Sequence, residues 1–207
     1  MSPGQFARRL LGSHFHIAGE AYRRIFVDMD KVTDTMIRHI PQGAHVLDVG
    51  GGDGYVVDLL LTKRPDIRVT MTDIAPEIGS FIREANRARV TLMPGTDVAT
   101  IEGRFDVITL ADVVHHVPAV QRPAFFDTLS VVAFRTGAKT VLVKDIEPGN
   151  LRALLSLWGD LYITCDKGVS LVESEAVGIP GFDRAETTMP DFPNYCVTFA
   201  APGAKAA

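Results

Sequence analysis

The stretch from His45 to Leu61 constrains this chain more than any other. It reads His-Val-Leu-Asp-Val, then Gly50-Gly51-Gly52-Asp53-Gly54, then Tyr-Val-Val-Asp-Leu-Leu-Leu. An acidic residue two places before a glycine triplet, followed by Asp-Gly, is the layout of a strand, a tight turn and a helix opening around a ligand. Glycines let the chain turn sharply and let backbone N–H groups approach that ligand with no Cβ in the way.

The rest of the chain repeats the alternation. Ile17–Ile40 has helical apolar spacing (Ala21, Ile25, Val32, Met36, Ile40) and stops at Pro41-Gln42-Gly43. Strands are predicted at His45–Val49, Ile67–Thr72 (ending at Asp73), Val90–Met93, Phe105–Leu110 and Thr140–Val143. Helices are predicted from Gly54 to about Lys63, and over Ala75–Ala88, Pro123–Phe134, Asn150–Tyr162 and Ser170–Val177, the last capped by Gly178. Ala185–Met189 and Tyr195–Ala200 form a terminal hairpin. Strands alternating with helices predict an α/β fold: one doubly wound, mostly parallel seven-stranded sheet with a C-terminal antiparallel hairpin. The chain reads as one domain over 1–207. Residues 1–40 are a helical cap, 44–145 a ligand-binding core, and 146–207 hold further helices and the hairpin.

Composition narrows the function classes. At 207 residues the chain is the size of one large domain, and 46% hydrophobic with 22% charged residues is ordinary for a globular protein. Acidic residues outnumber basic ones, 25 to 21, so the basic excess of a nucleic-acid binder is missing and no such partner is expected. Cys165 and Cys196 stand far apart, and neither CxxC nor HExxH occurs, so no disulfide framework or metal is indicated. Arg8 and Arg9 lack the apolar core of a signal peptide behind them. No apolar run approaches the roughly 18 residues of a membrane span. The expectation is a reduced, cytoplasmic protein away from membranes.

Which ligand the glycine turn serves depends on spacing. The dinucleotide fingerprint G-x-G-x-x-G needs a third glycine where Tyr55 stands. The spacing satisfied instead is Asp48-x-Gly50-x-Gly52-x-Gly54. It resembles motif I of the class I S-adenosylmethionine-dependent methyltransferases. A carboxylate there suits a ligand carrying an ammonium and a sulfonium, and would repel a diphosphate. Asp73 closes the second strand, 25 residues after Asp48, where the resemblance implies a bidentate acceptor for two ribose hydroxyls. Gly95-Thr96-Asp97-Val98 follows the third strand. There the resemblance implies that Asp97 meets the adenine amino group while Ile74 and Val98 pack the ring. Ala111 follows the fourth strand. The four motifs stand in order over roughly residues 44 to 145, and Asp48 to Ile78 is most similar to small-molecule O-methyltransferases. Those relatives usually carry an N-terminal dimerisation domain. A homodimer is one expected state here.

The resemblance implies direct methyl transfer to an O, N or C atom of a small metabolite, with S-adenosylmethionine as cofactor. The protein supplies positioning and, for a protonated acceptor, a base. His115 and His116 are the candidates. His115 takes the base position in the pattern Leu-x-x-x-x-His counted from Leu110; in the wider small-molecule pattern the matching residue is His116, which is often structural there. Lys144 and Asp145, ending the fifth strand, are candidates to hold an anionic group or an amine of the substrate. Tyr22, Trp158 and Tyr162, with Phe15 and His16, are candidates on the acceptor side. Three alternatives stay open: an RNA or protein methyltransferase, a cofactor-binding partner without catalysis, and an aminopropyltransferase. The last needs more acids after the fourth strand than Asp112 alone.

Overall fold

The computed structural model describes residues 27–159 and 169–203, except the side chains of Ser156 and Trp158. Phe15, His16, Tyr22, Tyr162 and Cys165, the first half of the predicted N-terminal helix, and the side chain of Trp158 therefore lie outside the described residues.

The elements are α1 (Met29–Ile37), β1 (His45–Val49), α2 (Tyr55–Lys63), β2 (Arg68–Asp73), α3 (Glu84–Arg87), β3 (Val90–Pro94), β4 (Val107–Ala111), α4 (Arg122–Thr136), β5 (Thr140–Ile146), α5 (Leu151–Gly159), β6 (Asp183–Asp191) and β7 (Asn194–Ala200). Seven strands form one sheet in the order β3-β2-β1-β4-β5-β7-β6. The first five pair in parallel; β7 runs antiparallel between β5 and β6.

Strand alternation sorts the core into two layers. Leu47, Val49, Ile108, Leu110, Val141 and Val143 face Leu129, Val132 and Ala133 of α4. On the other side Val46, Val69, Met71, Val107 and Leu142 meet Val32 and Met36 of α1 and Val57, Leu60 and Leu61 of α2. Of the apolar face read over Ile17–Ile40, Val32, Met36 and Ile40 bury as expected, whereas Leu151 and Leu154 of α5 are exposed. The strand order reverses between β1 and β4, and a crevice at the carboxyl ends of these strands is where open α/β sheets take their ligands.

Of two predicted helices, one is reduced to a single turn and the other is replaced by a 3-10 turn. Of Ala75–Ala88 only Glu84–Arg87 is helical. Gly79 adopts φ +75°, a left-handed conformation that stops a helix. The backbone here is used elsewhere: the N–H groups of Gly79 and Phe81 donate to the carbonyls of Gly52 and Asp53, at 2.9 and 2.8 Å. The segment braces the glycine turn. Ser170–Val177 likewise contains a single 3-10 turn, Ser174–Ala176. Its polar groups bond outward. Glu147 accepts from the N–H of Ser174 at 2.9 Å, and Arg184 donates to the carbonyls of Ser174, Glu175 and Val177.

A third difference concerns β5, which continues past Val143 to Ile146 because β7 pairs with it as far as Ile146 opposite Asn194. Lys144 and Asp145 therefore lie inside a strand and are buried, not at its open end.

Candidate active site

The glycine turn connects β1 to α2 with Gly50, Gly52 and Gly54 at φ +70°, +53° and +82°. The N–H of Gly50 donates to the carbonyl of Thr72 at 2.8 Å, fastening the turn to β2. Gly51 is needed for a different reason. A Cβ on it would stand 2.3 Å from Asp48 Oδ2 and 2.5 Å from Met71 Cγ. The turn lies directly on the Asp48 carboxyl.

Asp48 is thus beneath the loop, only 2% exposed, and Thr109 of the adjacent strand donates its hydroxyl to Asp48 Oδ1 at 2.7 Å. Burial pushes its pKa up to about 7; the Thr109 hydroxyl opposes this and the negative charge of Asp73 adds to it. A cation arriving above the loop would restore the charged form.

Asp73 closes β2 and organises the turn. Its Oδ2 accepts the N–H of Gly52 and its Oδ1 the N–H of Ala75, both at 2.9 Å. Its carbonyl accepts the N–H of Thr96 at 2.9 Å, while the Thr72 hydroxyl donates to the carbonyl of Thr96 at 3.0 Å. These bonds bring the loop after β3 against the end of β2. Within that loop Asp97 accepts the N–H of Ala99 at 2.9 Å, and Val98 is buried beneath it. Next to Asp73, Ile74 is 83% exposed. An apolar side chain presented beside a carboxylate at a sheet edge is a platform for a ring bearing a polar sugar.

Across the switch point β4 ends at the half-buried Ala111, followed by Asp112 at φ +59°, an uncommon conformation for a non-glycine residue. A short turn then carries both histidines, and it separates them. His115 is 1% exposed; His116 is exposed, its ring 4.1 Å from that of His115 between centroids. Asp145, expected to face the cleft and hold an amine, instead grips His115 twice: Oδ1 lies 2.6 Å from His115 Nδ1 and Oδ2 accepts the His115 N–H at 3.1 Å. Burial drives the Asp145 carboxyl upward. The charge and hydrogen bond of His115, the Lys144 ammonium and the Ile146 N–H outweigh it and hold the group below its ordinary value. Lys144, expected to meet an anionic substrate group, is 1% exposed and donates to Asp112 Oδ1 at 2.5 Å.

Asp112, His115 and Asp145 bring ligand-type atoms within 4.8 Å of one another, a spacing that fits a cation. In the arrangement seen, the Lys144 ammonium fills that role for Asp112 and the His115 ring for Asp145. The structure brings Asp48, Gly50, Gly51, Gly52, Gly54, Asp73, Ile74, Thr96, Asp97 and Val98 to the carboxyl ends of β1 to β3, and Ala111, His115 and His116 to the end of β4. Sequence reading missed the contributions of Thr109, Arg122 and Ser170. The alternation of β4, which puts Thr109 on the face of Asp48, was the available signal for the first.

Residues 46–137 match the family described as Methyltransferase domain. A curated relative, the malonyl-[acyl-carrier protein] O-methyltransferase of Acetivibrio thermocellus, is 31% identical over 81 residues, covering 37% of this chain and 29% of that protein. Among solved structures, the mitomycin 7-O-methyltransferase MmcR superposes with a TM-score of 0.63 at 20% identity, over 97% of this chain and 61% of its own. The O-methyltransferase NcsB1 from neocarzinostatin biosynthesis, solved with S-adenosylmethionine and 2-hydroxy-5-methyl naphthoic acid, gives 0.61 at 19% identity, over 93% and 60%. The chain spans about three fifths of these two structures and less than a third of the curated relative. Residues 46–137 thus resemble a methyltransferase domain, and the described sheet shares the fold of these structures.

Proposed function

We propose that this chain transfers the methyl group of S-adenosylmethionine to a hydroxyl oxygen of a small aromatic metabolite. The buried His115–Asp145 pair, 2.6 Å apart, carries the reading.

The residues fit the cofactor on their own chemistry. The turn presents bare backbone with open space where a Cβ on Gly52 would stand, carboxylates stand on both strands beside it, and Ile74 offers an uncovered apolar face. Asp48 and the turn Gly50–Gly54 would hold the methionine end, Asp73 the ribose, and Ile74, Thr96, Asp97 and Val98 the adenine, with Ala111 bordering the sulfur. When bound, S-adenosylmethionine supplies a methyl group on a sulfonium, which departs as a neutral thioether.

The chain's part is the proton. Asp145, held ionised, lies 2.6 Å from Nδ1 of His115, and in the tautomer where Nδ1 carries the hydrogen, Nε2 is the nitrogen that would act as base. That nitrogen takes the acceptor's hydroxyl proton as the oxygen attacks. Asp145 then stabilises the imidazolium. A neutral amine attacks through its own lone pair and sheds a proton only after transfer, whereas a hydroxyl must lose its proton as it attacks, so a positioned base favours oxygen. His116, on the exposed side of the same turn, borders the acceptor, with Tyr22, Trp158 and Tyr162 as further candidates on that side. Lys144 and Asp145 act on the substrate only indirectly, through Asp112 and His115. No helix among the described residues is long and apolar enough to cross a membrane.

The test is calorimetry with S-adenosylhomocysteine, followed by mass spectrometry of products from a panel of phenols, carboxylic acids and amines. Saturable binding and O-methylated phenols support the reading. Absence of binding, or methylation confined to amines, overturns it.

A further inference from the structure

Asp145 is not the only group holding the histidine turn. Arg122, the first residue of α4, is half-buried. Its Nε donates to the carbonyl of Val117 at 3.0 Å. One terminal nitrogen donates to the carbonyl of Ser170 and to Ser170 Oγ, the latter at 2.7 Å. Ser170 in turn donates its N–H to the carbonyl of His115 at 2.9 Å. The bonds close a ring: His115 carbonyl, Ser170, Arg122, Val117 carbonyl, and back through the turn.

The consequence is geometric. The N–H and ring Nδ1 of His115 are held by Asp145, and its carbonyl by Ser170. With the peptide planes on both sides of its Cα fixed, the Cα–Cβ bond of His115 is set, and the Nδ1 contact to Asp145 then fixes the ring and the direction of Nε2. Ser170 can hold its position only if something holds Ser170. A guanidinium suits this, because it is a planar fork that reaches several acceptors in fixed directions, whereas an ammonium is a point charge. Here the fork spans the two ends of the circuit.

We infer that Arg122 is a positioning residue for the base: by fixing Ser170 against the His115 carbonyl it sets the direction of the imidazole. The inference rests on the role proposed for His115. Displacing a reacting group by about 1 Å costs on the order of 10²-fold in rate. The variant Arg122→Gln should therefore lower kcat by roughly tenfold to a hundredfold, and leave the KM for S-adenosylmethionine within about twofold, because the glycine turn lies on other strands.

The experiment uses the full chain, wild type, Arg122→Gln and Arg122→Lys, with 2-hydroxy-5-methyl naphthoic acid as the first phenolic probe. Long-range nitrogen NMR of labelled histidine rings reads the His115 tautomer directly. In the wild type a single Nδ1–H tautomer is expected; in both variants it becomes mixed or broadened, and the pH–rate profile moves with it. Arg122→Lys keeps the charge and loses the fork, so it decides the matter should Arg122→Gln not fold. A variant that is folded and melts lower, yet keeps the wild-type His115 ring signature and pH profile, overturns the inference. Failure of wild-type protein to bind S-adenosylhomocysteine or to turn over would instead overturn the methyl-transfer reading, and the ring spectra would still decide the role of Arg122.

Discussion

The two halves of the crevice are built by different means. At the ends of β2 and β3 the acids are held by backbone: Asp73 accepts from Gly52 and Ala75 and Asp97 from Ala99, while the glycine turn donates to the Thr72 carbonyl. At the ends of β4 and β5, side chain meets side chain across long stretches of sequence: His115 with Asp145, Lys144 with Asp112, Arg122 with Ser170. The first half is a shape that local sequence can encode. The second is a network whose partners meet only after the sheet has assembled. Binding and chemistry should therefore separate under mutation.

The largest effect tests that separation directly. His115→Ala and Asp145→Asn should each lower turnover by about 10² to 10⁴-fold, the usual contribution of a positioned acid or base. Their affinity for S-adenosylhomocysteine, measured by calorimetry, should stay within about twofold. A matching loss of affinity would mean that the halves are one unit.

The converse variant is Asp73→Ala. It removes a charged acceptor from the Gly52 N–H as well as the proposed ribose contact. Hydrogen bonds to charged groups are worth about 1.5 to 3 kcal/mol, so affinity should fall by about tenfold to a hundredfold while kcat at saturating cofactor holds. Equilibrium dialysis beside single-turnover rates would show whether it does.

A pH series sharpens the comparison further. Asp48 titrates near 7 in the fold against an ordinary value of 3.8. Below 7 it is largely neutral in the free protein, so binding a cationic ligand above it must expel a proton. Affinity should fall by up to about tenfold per pH unit on the acid side of 7. The stability of the free protein runs the other way. A carboxyl whose folded value is raised costs nothing below 3.8 and costs progressively more from 3.8 up to about 7, so for this group acid is the favourable side. Calorimetry in buffers of different ionisation enthalpy counts the proton, and Asp48→Asn should abolish both trends.

The smallest expected effect is at Ile74. Truncation to Ala removes part of the apolar platform, worth about 1 kcal/mol or roughly a fivefold weakening, with no change in melting because the side chain is already in water. A lower melting temperature would place Ile74 in the core.

The same contrast explains what could be read from the sequence. The strand, glycine turn and helix from His45 to Lys63 follow from local propensity and spacing, and so does the acid closing β2. Ala75–Ala88 failed because a helical apolar pattern does not show that the backbone of Gly79 and Phe81 is needed by the glycine turn. Ser170–Val177 failed for the same kind of reason, with Arg184 and Glu147 taking its polar groups. His115 could be singled out by its place after β4. Its partner could not, since Asp145 stands 30 residues away on a strand whose burial depends on pairing with β7. Arg122 had no signal at all: its partner is 48 residues on, with no motif at either end.

The insertion of β7 between β5 and β6 has a consequence for biosynthesis. Until residues 194–200 have left the ribosome, β5 has no neighbour on one side, and its Thr140–Ile146 backbone presents a bare row of donors and acceptors. The half-finished sheet is open at that flank to strangers. A nascent chain stalled before Asn194 should be a preferred client of chaperones, and release of the last strand should be the moment at which Asp145 first leaves solvent.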